Sequence, residues 1–266
     1  MSYVRPEALV TTDWLAKHLS DPKIAILDAS WHMPATKRDA RGEYVERHIP
    51  GARYFDIDAI ADTSVTLPHM VPDEATFARM VGALGIANDH HIVVYDTNGG
   101  AGAAMRAWWM FRLFGHSRVS VLAGGFGKWA AENRASESGE VAATRASFTA
   151  RLEAGLVRSI EDVRMNIGGN RELLVDVRSA GRFGGTEPEP RAGLRAGHIP
   201  GSVNLPFAQL LDPANHMVPR TAEEIERALA DAGIDRAKPV IASCGSGVTA
   251  CVLAFALHLI GEGEKQ

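Results

Sequence analysis

The run "VIASCGSGVTACVLAFAL", residues 240–257, places a thiol where chemistry is possible. Small apolar residues stop at Cys244. A short loop with Gly245 and Gly247 follows, and then an apolar stretch of helical character begins. A strand that ends in such a loop gathers backbone N–H groups around its mouth, because the two glycines let the chain bend and approach a ligand closely. The N-terminal end of the following helix adds partial positive charge. A thiol at that point is held toward the thiolate, the nucleophilic form. Cys251, seven residues on and inside the helix, is expected to be a small buried hydrophobe.

Composition sets the outer bounds. The chain has 266 residues, 46% hydrophobic and 23% charged, with a formal charge of -4. That is ordinary for a globular protein of one large or two average domains. No basic excess argues for a nucleic-acid partner. The longest apolar stretch, 248–260, is too short to span a bilayer and contains His258. Neither a signal core nor a cysteine or histidine cluster of metal-ligand spacing is seen, so no metal, cofactor or membrane partner is expected. Two cysteines seven apart on one motif, about two helical turns, are poorly placed for a disulfide unless the chain bends, and a reducing cytoplasm is the expected compartment.

The elements that position Cys244 occur twice. "RHIPGARYFDID" (47–58) resembles "GHIPGSVNLPF" (197–207). "IAILDAS" (24–30) pairs with "LLVDVRS" (173–179), and "HIVVYDTNGGAG" (91–102) with "PVIASCGSGVTA" (239–250). Asp28 and Asp176 are 148 residues apart, as are Asp96 and Cys244. Three landmarks at nearly one offset imply duplication. "IAILD", "ARYFDI", "HIVVYD" and "RVSVLAG" are expected as buried parallel strands. "ATFARMVGALG" and "AMRAWWMFRLFG" have helical spacing and stop at glycine. Alternating strands and helices predict α/β domains with parallel sheets flanked by helices. The domains are expected at 1–135 and 150–266, joined by a polar linker over 136–149. His48 and His198, in the two His-Ile-Pro-Gly runs, are expected to serve structure, since they recur in the half without a cysteine at the loop.

The duplicated halves, the His-Ile-Pro-Gly runs and "CGSGVTAC" resemble the rhodanese superfamily of sulfurtransferases. The loop Cys244-Gly245-Ser246-Gly247-Val248-Thr249 is similar to that of members acting on 3-mercaptopyruvate, and so are "GRFGGTEPEPRAGLRAGHIPG" (181–201), "LDASWHMP" (27–34) and "FDID" (55–58). The resemblance implies two tandem rhodanese-like domains with an active cysteine only in the second. Asp96 at the first-half equivalent agrees with that. It further implies that Cys244 takes sulfur as a persulfide, releases pyruvate, and hands the sulfur to cyanide or a thiol such as thioredoxin. The loop N–H groups from Gly245 to Thr249 would bind the anionic sulfur. Arg182 and Arg191 match the family's substrate-binding arginines, whose fork suits a carboxylate. Ser246, His69 and Asp58 match a serine-protease-like proton relay, with His69 and Asp58 drawn from the first half.

A thiosulfate sulfurtransferase resembles this chain closely, but its loop carries Cys-Arg-Lys-Gly-Val-Thr, and Gly245 and Ser246 lack both cations. A cysteine phosphatase needs Cys-x5-Arg, and position 250 is Ala. A plain sulfur carrier would need neither the arginines nor the cross-half relay. Finally, "SRVSVLAGGFGKW" (117–129) has no counterpart after the helix ending near Gly261, where only "EGEKQ" remains. The second domain is therefore expected to look C-terminally truncated, with a sheet one strand smaller than the first and an unpaired edge.

Overall fold

A computed structural model describes residues 2–97, 102–191 and 193–262. Part of the "DTNGGAG" loop, Ala192 and most of "EGEKQ" lie outside the described residues. The first half runs β1 (Leu9–Val10), α1 (Thr12–His18), β2 (Ile24–Asp28), α2 (Ala40–Glu46), β3 (Arg53–Tyr54), α3 (Glu74–Ala83), β4 (His91–Tyr95), α4 (Ala103–Leu113), β5 (Val119–Leu122) and α5 (Gly125–Ala131). The second runs α6 (Ile160–Gly169), β6 (Leu173–Asp176), α7 (Ala180–Gly184), β7 (Val203–Asn204), β8 (Leu211–Asp212), β9 (Val218–Pro219), α8 (Ala222–Asp231), β10 (Val240–Ser243) and α9 (Ala250–Leu259). Caps explain several helix starts. The side chains of Thr11 and Asp73 accept N–H groups at α1 and α3, and Ser159 and Thr221 open capping boxes at α6 and α8.

The first sheet has the order β1-β5-β4-β2-β3 and is parallel throughout. The second has the order β10-β6-β7, also parallel, so it repeats β4-β2-β3 strand for strand. β4 is buried at four of its five positions, as a strand covered on both faces requires. "ARYFDI" departs from expectation. Only Arg53 and Tyr54 pair with β2, and both are half-buried. Phe55 turns into the core instead.

The expected deficit of one strand is corrected to two among the described residues. The reason lies in the first sheet, where β1 pairs, among the described residues, only with β5. With no β5 equivalent beside β10 among the described residues, the segment leading into α6 has no such strand to join. The 136–149 stretch forms no helix or strand, but it is packed on the first half. Glu137 and His48 exchange backbone hydrogen bonds, and Phe148 is buried beside Phe77 and Phe111.

The two halves share a core. α4 lies against α9, with Trp108 edge-on to Phe255 at 4.8 Å between ring centres. Phe255 is fully buried, which stabilises by roughly 3 kcal/mol for a side chain of its kind. α4 follows the first-half loop and α9 follows the Cys244 loop, so this packing brings the two loops together. Gly102 shows the closeness, since a Cβ there would stand 3.6 Å from Val248 Cγ1.

Candidate functional site

Cys244 stands one residue beyond β10, half-exposed, with α9 beginning at Ala250. Thr249 makes no side-chain cap, and the N–H groups of Cys251 and Val252 in the first turn of α9 bond back to the Val248 and Thr249 carbonyls at 3.1 and 3.0 Å. Gly247 donates its N–H to Cys244 Sγ at 3.2 Å. Of the loop donors expected from Gly245 to Thr249, Gly247 is the one that reaches the sulfur among the described residues. Its φ of +76° is the left-handed conformation that glycine adopts without strain. Gly245 has no such φ. Its lack of a side chain makes room instead, since a Cβ would stand 3.0 Å from Arg182 Nη2. Val248 is buried under the loop, and Cys251 is 4% exposed and donates its thiol to the Gly247 carbonyl at 3.2 Å. Burial pushes the Cys251 thiol up to about 12, so it stays protonated and unreactive.

Two arginines border the loop from the second half. Arg191 Nη1 donates to the Gly245 carbonyl at 3.3 Å. Arg182, on α7, is held by Glu189 through Nη2 at 2.6 Å and Nε at 3.3 Å. Glu189 also accepts from Arg178 Nη1 at 2.6 Å, and Arg178 in turn grips Asp176 at the end of β6. The two cations, Arg182 foremost, hold the Glu189 carboxyl below its usual range. This chain of charges fixes the Arg182 fork beside Gly245 of the loop. Sequence reading did not find it, because Arg178 and Glu189 carry no signal apart from their partners.

The first half contributes Asp58 and His69. His69 Nε2 lies 2.8 Å from Asp58 Oδ1, in ion-pair contact at an angle off the N–H direction. Trp31 Nε1 donates to Asp58 Oδ2 at 2.9 Å and sets its ring edge-on to His69 at 4.9 Å. Trp31 lay inside a quoted motif, yet nothing in its spacing assigned it this contact. Burial, the largest cause, lowers the His69 pKa, opposed by Asp58 and reinforced by Arg106 and Arg191. A neutral imidazole at pH 7 can accept a proton. His69 Nδ1 is buried without a hydrogen-bond partner, and Ser246 Oγ bonds to nothing among the described residues. The structure thus joins Asp58 to His69 but does not close the expected Ser246–His69 link. Hydrogen bonds of this kind commonly tighten only around substrate.

The remaining histidines of the repeated runs have structural surroundings. His48 is fully buried with Nδ1 at 2.7 Å from the Tyr44 carbonyl, and His198 stacks on Phe183 at 3.8 Å. Among the described residues, no group of three His, Cys, Asp or Glu could hold a metal, and no helix is long and apolar enough to cross a membrane.

The architecture defines a class: two parallel α/β domains of one design, with a thiol at the strand-to-helix turn of the second and an aspartate at that of the first. The model of the rhodanese-like domain matches twice, over residues 11–132 and 159–264, and the chain belongs to the rhodanese family. It is 44% identical to the 3-mercaptopyruvate sulfurtransferase of Mus musculus, over 97% of this chain and 88% of that protein. It is 46% identical to the thiosulfate sulfurtransferase of Bos taurus, over the same shares. Among solved structures, SseA of Escherichia coli, a 3-mercaptopyruvate sulfotransferase, superposes with a TM-score of 0.87 at 38% identity. That match covers 95% of this chain and 94% of SseA.

Proposed function

We propose that this chain transfers sulfur from 3-mercaptopyruvate through a persulfide on Cys244. The observation that carries the reading is the loop itself. Its sulfur receives the Gly247 N–H, while its cations lie outside it, on Arg182 and Arg191. The Cys244 thiolate attacks the substrate sulfur, and the carbon–sulfur bond breaks. The electron pair of that bond leaves as pyruvate enolate, which takes a proton to give pyruvate. The sulfur stays on Cys244 as a persulfide. This divides one difficult transfer into two easier ones. The two arginines grip the substrate carboxylate. His69, neutral and steadied by Asp58, moves a proton between substrate and Ser246. An acceptor thiolate, of a small thiol or thioredoxin, then attacks the outer sulfur and frees Cys244; cyanide can do the same. The proposed setting is the cytoplasm, where an unpaired reactive thiol survives.

The thiosulfate reading draws on the 46% identity to thiosulfate sulfurtransferases. Gly245 and Ser246 argue against it, since a dianion is better bound by cations in the loop. Initial rates decide between them. Pyruvate release from 3-mercaptopyruvate is expected at a higher kcat/KM than thiocyanate formation from thiosulfate and cyanide. The reverse order would establish the alternative.

A further inference from the structure

Arg106 lies on α4 of the first half, 4% exposed, in a helix whose other buried positions are apolar. No carboxylate is within ion-pair distance of it among the described residues. Instead, Nη2 donates to the His69 carbonyl at 2.7 Å and Nη1 donates to the Gly247 carbonyl at 3.3 Å. The guanidinium also lies 4.5 Å from the centre of the Trp109 ring. These two carbonyls belong to the two halves of the site. His69 has a left-handed φ of +57°, a conformation that costs a histidine energy and needs surroundings to hold it. Gly247 is the residue whose N–H reaches the Cys244 sulfur. A buried cation with no acid beside it is costly unless an anion forms nearby.

We propose that Arg106 is a positioning residue for sulfur transfer, clamping the His69 turn and the Cys244 loop together and placing its charge behind the anionic sulfur. The proposal rests on the persulfide reading above. It explains why a residue of the half without a reactive thiol bonds to the loop of the other half. Gly247 must also lack a side chain for this contact, since a Cβ would stand 3.1 Å from Arg106 Nη1. Lysine would keep the charge but could not span both carbonyls with one rigid fork.

The test uses the full chain and two variants, R106K and R106Q, each checked for folding by circular dichroism. The first readout is the rate of iodoacetamide alkylation of Cys244 at one fixed pH, mapped by peptide mass. The other charged groups facing that thiol are unchanged in both variants. They are Arg182, Arg191 and Glu189, then Asp176 at the end of β6 and Arg178 just beyond it, His69 and Asp58 from the first half, and the Cys251 thiol on α9. R106Q is expected to slow the alkylation about tenfold, and R106K to leave it near wild type. The second readout is steady-state turnover of 3-mercaptopyruvate. R106K is expected to lose about tenfold or more in kcat with KM within about twofold, because the carboxylate-binding arginines are untouched. A wild-type alkylation rate in R106Q, or wild-type kcat in R106K, overturns the proposal. Should R106Q fail to fold, the kcat of R106K decides alone. Failure of the persulfide reading is separate, since it would appear as turnover surviving Cys244→Ser.

Discussion

Asp28 and Asp176 end equivalent strands, 148 residues apart, and each accepts the N–H two residues on, at 2.9 and 3.0 Å. Their side chains then lead to different places. Asp28 is 1% exposed and meets no lysine or arginine among the described residues, and burial holds its carboxyl above the usual range. Asp176 receives the Arg178 guanidinium, which reaches Glu189, which holds Arg182 beside Gly245. Position 30 of the first half is Ser where position 178 of the second is Arg. One substitution in a duplicated turn thus begins the relay that holds Arg182 beside the Cys244 loop. The same divergence recurs at the loop, where Asp96 accepts the Ala104 N–H at 2.9 Å and so caps α4, while Cys244 leaves its strand with a free thiol. In the proposed reaction, one half supplies structure and a proton-handling pair, and the other supplies the nucleophile and the grip on substrate.

The comparison breaks most sharply at Cys244. Cys244→Ser removes the thiol that the first half lacks, and turnover of 3-mercaptopyruvate is expected to vanish, because an alcohol cannot form a persulfide. Next in size are Arg182→Ala and Arg191→Ala. Each should lower kcat/KM by about 10- to 100-fold, mainly through KM, as the loss of a charged hydrogen bond would. Unchanged kcat/KM in both would remove them from the site.

A smaller effect separates the halves at the α4–α9 seam, where His258 stands opposite Met110 in the repeat offset. Burial, then Arg112 and Arg5, depress the His258 pKa from 6.5 to about 3. Between those values the unfolded chain binds a proton that the folded chain refuses. Stability from this group is therefore complete above about pH 6.5 and lost progressively as pH falls toward 3. His258→Met, which installs the first half's residue, should shrink the drop in Tm between pH 7 and pH 5. Equal drops in both proteins would show that the seam does not feel this titration. The smallest effect belongs to Cys251→Ser. It should keep most activity, since a hydroxyl can still donate to the Gly247 carbonyl, at a stability cost of about 1 kcal/mol.

Local and repeated features were legible in the sequence. The strand-to-helix turn at Cys244, the three landmarks near one offset and the helix stops all depend on neighbours along the chain. The arginines, Ser246, His69 and Asp58 needed the family resemblance, because single residues of those types carry no spacing signal. What remained hidden joins distant segments. Arg106 meets His69 across 37 residues and Gly247 across 141, and Trp31 meets Asp58 across 27. The one available hint was a lone arginine in the otherwise apolar "AMRAWWMF" run. The strand count was misjudged for a related reason. That β1 depends on β5 for its only pairing is a fact of the sheet, invisible in either segment alone.

The central claim is that sulfur resides on Cys244 between donor and acceptor. The direct measurement is the mass of the intact chain after brief exposure to 3-mercaptopyruvate without acceptor, followed by peptide mapping. The account predicts a gain of one sulfur atom on the peptide containing Cys244, removed by added thiol and absent from the Cys244→Ser protein. An unchanged mass during active turnover, or a sulfur adduct on Cys251 instead, would contradict it.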